Sequence, residues 1–253
     1  IDGLHPDTDY EIMLVRANEA SETVTFHTEP EPITLNVRDF GAFGDGVHDD
    51  TSAIQAAILC CPKNARVLIP KGTYPVTALF LKSDMILELQ ENAVLAGIYD
   101  RARTPILPGQ IEYDNEDGYY NLGSWEGNPI DSFASMITGI HVKNVTICGN
   151  GVLDGRADFE NWWSRPKDKI RAWRPRMIFL NHCENITVVG VTVQNSPAWN
   201  LHPYFSNQIR FLDMEVKGPA NSHNTDGCDP ESCTNVEIAG VHFSVGDDCI
   251  AIK

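Results

Sequence analysis

The sequence predicts an all-β solenoid, a parallel β-helix whose first coil is capped by a short helix. Three observations predict it. Four β-rich runs begin with asparagine, at Asn144, Asn185, Asn207 and Asn235, and the last three starts are 22 and 28 residues apart. A period in the twenties, with short strands in each repeat, marks a solenoid. Val, Ile, Thr and Phe fill these runs, with no helix between them and no leucine-rich pattern, which favours stacked parallel strands. Asparagine at the turns suits left-handed backbone and side-chain ladders between coils. A sandwich with regular turns is the competing architecture.

Taken in order, residues 1–28 read as two short strands around a turn, 11–17 and 21–28. They resemble the end of a fibronectin type III domain, with Tyr10 at the tyrosine-corner position. Fewer than thirty residues cannot complete that sandwich, so a truncated domain is expected. Glu29, Pro30, Glu31 and Pro32 form a stiff linker. A second unit, 33–253, opens with a strand and a loop containing Gly41, Gly44 and Gly46. Asp49, Asp50 and Thr51 then supply capping chemistry for a helix to about Cys61, with Ala53, Ile54, Ala57 and Ile58 on one face. That helix can cover the apolar end which a first coil exposes. Short strands follow at 66–69, 73–77 and 85–89. Residues 105–131, with Tyr113, Tyr119, Tyr120 and Trp125, read as a long ordered loop, a length usually kept for function.

The formal net charge of −16 argues against a nucleic-acid partner. No apolar run is long enough to span a membrane, and no signal peptide is visible. Seven cysteines at low density make no disulfide framework, and reduced core thiols are expected. Cys228 and Cys233 are close enough to pair, but His182, His223 and His242 offer no zinc spacing. The glycines at 41, 44 and 46 hint at a dinucleotide loop, which the acids beside them oppose.

Two acidic patches carry the chemistry: Asn224, Thr225, Asp226 and Gly227 with Asp229, and Gly246, Asp247 and Asp248. Asp226 and Asp247 are 21 residues apart, about one coil. Coils stack at about 4.7–4.9 Å, so the patches should lie side by side. Neighbouring Asp247 and Asp248 cannot both face a dry core, so they belong at a bend. Clustered carboxylates raise one another's proton affinity, which holds one as an acid while another acts as a base. Glycoside hydrolysis requires that pairing. Solvated turn aspartates or a calcium site are the plainer readings of either patch alone.

At these residues the chain resembles glycoside hydrolase family 28, the polygalacturonases and their relatives. The family's Asn-Thr-Asp and Gly-Asp-Asp signatures stand here at 224–226 and 246–248. Its early-coil pattern matches 149–155, and its first-coil region matches 36–51 and 69–74. The resemblance implies a right-handed β-helix that hydrolyses α-1,4-galacturonosyl links of pectin with inversion and without a metal or other cofactor. It makes Asp247 the general acid and gives water activation to Asp226 and Asp248. It makes a pectic polysaccharide or oligogalacturonate the partner, a monomer the expected state, and the outside of the cell or the periplasm the expected location. The odd cysteine count leaves a cytoplasmic oligosaccharide trimmer open. The family's later Gly-His-Gly and Arg-Ile-Lys signatures do not occur before Lys253, so residues 1–253 are expected to be inactive alone. Asn224, His223, Lys253, Arg176 and His202 are the candidate substrate contacts. The fibronectin-like remnant and the long loop suggest exo action. Hydrolysis of rhamnogalacturonan, a calcium-dependent lyase and a non-catalytic carbohydrate-binding β-helix are the rivals.

Overall fold

The computed structural model describes residues 4, 5, 7–13, 15, 22–30, 32–112 and 119–253. The chain divides into two compact units, Ile1–Ile33 and Thr34–Lys253. In the first, Asp9–Met13 pairs antiparallel with Thr23–His27. The Tyr10 ring stacks on Phe26, and its hydroxyl accepts a hydrogen bond from the His5 backbone N–H at 2.7 Å. The first strand stops earlier than the sequence suggests, and most of residues 14–21 lie outside the described residues, as does Tyr113.

The second unit is a right-handed parallel β-helix with three sheets. Each sheet is built by successive coils laying one strand beside the last. The largest runs from Thr34–Asn36 through Ala65–Ile69, Met85–Leu89, Lys143–Gly149, Glu184–Val189 and Asn207–Leu212 to Thr234–Ala239. Its register aligns Val67, Leu87, Ile147, Val188, Phe211 and Ile238 in one file. Another file across the interior joins Tyr74, Leu95, Leu153, Val193, Val216 and Phe243. Period-2 alternation supplies these files, because every second residue of a strand faces the core.

The predicted asparagine turns are present, with one shift of register. Asn64, Asp84, Asn144, Asn185, Gln208 and Asn235 all have φ between 52° and 59° and stand at the same point of successive coils. Gln208, not Asn207, takes the left-handed position. Asn207 instead accepts from the Asn235 amide at 2.9 Å, and Asn185 donates to Asn144 at 2.9 Å. The ladder thus runs between side chains of neighbouring coils and reaches back to Asp84, which accepts from the Asn144 amide at 2.7 Å, and two turn positions of the file, Asn64 and Asp84, precede the repeat visible in the sequence.

The helix spans Thr51–Cys60 and buries Ile54, Ala57 and Ile58 in the main core. Its capping differs from expectation. The Asp50 carboxylate turns back into the glycine loop and accepts from Phe43 N at 2.7 Å and Gly44 N at 3.0 Å. Asp49 accepts from the Thr51 N–H at 2.9 Å. Asp45 takes the N–H groups of Val47 and His48, which hold its carboxyl down at about 2. All seven cysteines are free thiols, with Cys61, Cys183 and Cys228 buried in the core. Among the described residues no helix is long and apolar enough to cross a membrane.

Candidate active site

The third sheet positions the acids. It stacks Leu79–Phe80, Ile137–Ile140, Ile178–Asn181 and Leu201–Tyr204, and single bridges extend the Leu201 position to Cys228 and then Ile250. Two residues before Ile178, Leu201, Cys228 and Ile250 stand Arg176, Trp199, Asp226 and Asp248, in one file along the solenoid. Backbone bonds hold that file, from Asn200 N to Asp226 O and from Gly227 N to Asp248 O, both 2.8 Å. Asp226 therefore stacks against Asp248, with Asp247 beside it. Gly227 makes this approach possible, since a Cβ there would meet Cys249 O at 2.4 Å.

Carboxylate oxygens of Asp226, Asp247 and Asp248 lie within 4.8 Å of one another. The coil spacing sets this distance. It is shorter than the roughly 6.5–9.5 Å generally associated with inverting carboxyl pairs. Asp226 is buried and the other two are exposed. Burial, then the Asp247 charge, raises the proton affinity of Asp226, against its own backbone N–H and the pull of Lys253. The Lys253 ammonium stands 3.9 Å from Asp226 and 3.4 Å from Asp229. It also faces Glu126 at 3.5 Å and the Trp199 ring at 4.9 Å. Such a cluster of oxygens would also suit a divalent cation.

A second layer of side chains sits beneath and beside the acids. Trp125 stacks on Trp199 with centroids 4.4 Å apart. The Arg176 guanidinium lies 5.0 Å from the Trp125 ring and 4.9 Å from the Trp199 ring, a cation–π arrangement. Arg176 also donates to the Ser124 carbonyl. The Glu231 carboxylate accepts from Ser124 Oγ at 2.7 Å, from Gly127 N at 2.8 Å and from His202 Nε2 at 3.0 Å. A carboxylate only accepts, so His202 carries its proton on Nε2. Burial works to raise the Glu231 carboxyl, but these donors outweigh it and the net shift is downward. Together Glu231 and Arg176 fasten the segment around Ser124–Trp125 over the acids.

Two of the residues expected to contact substrate lie inside the protein. Arg176 is 2% exposed, with its charge spent on carbonyls and indole faces. His202 is fully buried, and desolvation pushes it down to about 4, so it is a neutral structural donor. Both side chains are closed off from solvent. Lys253 is engaged by Asp226, Asp229 and Glu126. His223 is exposed beside the acids, and its carbonyl accepts from Arg174 at 2.7 Å. Asn224 has φ 54°, and its side-chain oxygen accepts from Arg174 at 2.8 Å.

Arg174 is the organiser of this turn. It also donates to Pro197 O at 2.6 Å and is 3% exposed. Desolvation, then Arg101, lowers it to about 10, against the attraction of Asp226, so it stays charged near neutrality. In the whole natural protein, Arg174→Ala is expected to cut any turnover at these acids roughly 10²-fold, the size of effect a misplacement of about 1 Å produces. Steady-state kinetics beside circular dichroism will separate this from unfolding. Trp199, Glu231 and Ser124 were not legible as site residues in the sequence, because their partners lie on other coils.

A cavity of about 360 Å³ opens next to Asn224, walled by Trp125, Ile130, Trp173 and Arg174 with the exposed Lys167 at its edge. With this geometry in view, comparison with known proteins assigns the family. The model for glycosyl hydrolases family 28 matches residues 106–253. The chain belongs to that family. A model described as rhamnogalacturonase A/epimerase, pectate lyase-like, matches residues 34–152. A probable polygalacturonase of Vitis vinifera is 32% identical over 85% of this chain and 43% of its own length. An exo-poly-α-D-galacturonosidase of Dickeya chrysanthemi is 28% identical over 99% and 48%. The structure of the Yersinia enterocolitica family 28 exopolygalacturonase superposes with a TM-score of 0.80 and 27% identity, covering 99% of this chain and 51% of that one. The family 28 chain described here thus spans about half the length of the curated relatives it matches.

Proposed function

We propose that the whole protein hydrolyses α-1,4-galacturonosyl links of polygalacturonate or its oligomers. The observation that carries this reading is the stacked cluster of Asp226, Asp247 and Asp248 beside an aromatic, cation-edged cavity. In the proposed reaction exposed Asp247 protonates the leaving oxygen. Asp226 and Asp248, aligned on adjacent coils, hold and deprotonate the attacking water. A water between these two enters opposite the leaving group and inverts the anomeric carbon. The close oxygen spacing makes the stereochemistry a test in its own right, read from the anomer first formed.

We further propose exo action. The segment fastened by Glu231 and Arg176 carries Trp125 into the wall of the cavity beside Asn224, and a wall of this kind supports closure of one end of the substrate path. The exo-acting relatives from Dickeya and Yersinia support the same choice. The test is a time course of product length on de-esterified polygalacturonate. Short, uniform galacturonates from the first points are expected. An early random ladder of oligomers would mean endo action. A polymeric substrate of this kind supports a location outside the cell or in the periplasm, and fractionation distinguishes this from a cytoplasmic oligosaccharide trimmer.

A further inference from the structure

One buried acid near the cluster has no part in the reaction as proposed so far. Asp229 is fully buried, and among the described residues neither of its side-chain oxygens has a hydrogen-bond donor. Asp226 Oδ1 is buried and lacks a donor as well. Two ionised carboxylates in this position would each keep buried acceptors unsatisfied, at considerable cost. Lys253 cannot satisfy both, because its single charge lies 3.4 Å from Asp229 and 3.9 Å from Asp226 and is shared with Glu126. One added proton resolves the conflict. On Asp229 it supplies the missing donor and removes one of the two competing charges.

We propose that Asp229 is a positioning residue, a neutral carboxylic acid whose O–H bridges to Asp226 and leaves the Lys253 charge to that carboxylate. This rests on the reading of Asp226 as a water-activating base. Asp226 needs such support, because burial and Asp247 both favour its protonation. The arrangement answers that pressure twice, through a donated hydrogen bond and an undivided ammonium charge.

The surroundings fit. Burial, then the Asp226 charge, pushes the Asp229 carboxyl up to about 8, with Lys253 opposing. Among the described residues, Arg176 and Cys228 also feel its charge, and the Cys228 thiol, raised by its burial, is neutral near pH 7. Arg176 stays charged near neutrality but is turned to the indoles and carbonyls. Around Lys253 stand Glu126 and the neutral His202. The sign follows. Asp229 is protonated below about 8. Above that its proton is lost, two anions compete for Lys253, and Asp226 loses its donor. Turnover should therefore fall on the alkaline side as Asp229 ionises.

The experiment uses the whole natural protein labelled with carboxyl-¹³C aspartate, titrated by NMR, beside the pH profile of kcat/KM. Asp229→Asn keeps an N–H donor to Asp226 but cannot ionise. Asp229→Leu keeps the approximate volume and has no donor. The carboxyl resonance lost in Asp229→Asn is expected to titrate near 8 in the unmodified protein. Asp229→Asn should stay within about tenfold of its turnover and lose the alkaline limb. Asp229→Leu should lose roughly 10²-fold or more in kcat with KM little changed. Titration of that resonance in the ordinary carboxylate range overturns the proposal whatever the activity. So does an alkaline limb that survives Asp229→Asn. Should the unmodified protein release no sugar from any pectic substrate, the hydrolase reading fails. The NMR titration still judges whether Asp229 holds its proton.

Discussion

Asp247→Asn is expected to lower turnover on polygalacturonate by about 10³-fold with KM nearly unchanged. The size follows from losing a general acid, which contributes roughly 10²–10⁴-fold. Asparagine matches the shape of aspartate but cannot give a proton to the leaving oxygen. The side chain is exposed, and its one intramolecular bond accepts the neighbouring Asp248 N–H at 3.0 Å, which the asparagine carbonyl can also accept. Stability should therefore hardly change, and thermal melts of the two proteins should overlay. Release of reducing sugars at saturating substrate gives the turnover. A loss of less than tenfold would take the acid role away from Asp247. The raised proton affinity of buried Asp226 would then make it the next candidate.

Trp199→Ala is expected to destabilise the β-helix by about 3–5 kcal/mol, the usual cost of truncating a buried large aromatic. Trp199 is 1% exposed and serves four neighbours at once. Trp125 stacks on it, His202 meets its edge at 4.9 Å, and Arg176 and Lys253 both sit 4.9 Å from its ring. Its loss would free the two cations that hold the loop and the acids, so activity should vanish even where the fold survives at low temperature. Denaturant titration measures the first effect and kinetics in the cold measures the second. Trp199→Phe should recover part of both, since a smaller ring still offers a face to the cations. An alanine variant with normal turnover would show that the aromatic layer is mere packing.

What the sequence made legible was whatever depends on spacing along the chain. The repeat announced stacked coils, and the step between the two acidic patches announced that Asp226, Asp247 and Asp248 would meet. The helix at Thr51–Cys60 followed from its apolar face. Details set between coils stayed hidden. The turn file takes Gln208 and not Asn207, because the strand pairing of Glu184 with Asn207 fixes the register one residue later. Asp50 bonds backwards because the glycine loop folds over it. Arg176 and His202 looked available for substrate because charge and chemistry are readable in a sequence while direction is not. Their true partners, Trp125, Trp199 and Glu231, come from other coils and from the long loop. Asp229 was visible as one more acid, but its burial against Asp226 needed the fold.

The most direct test of the hydrolase claim is the chemical nature of the product made from de-esterified polygalacturonate by the whole natural protein, with and without chelator. Saturated galacturonates, formed equally in chelator and lost in Asp247→Asn, are the predicted result. Ultraviolet-absorbing unsaturated products that require calcium would contradict it and identify a lyase.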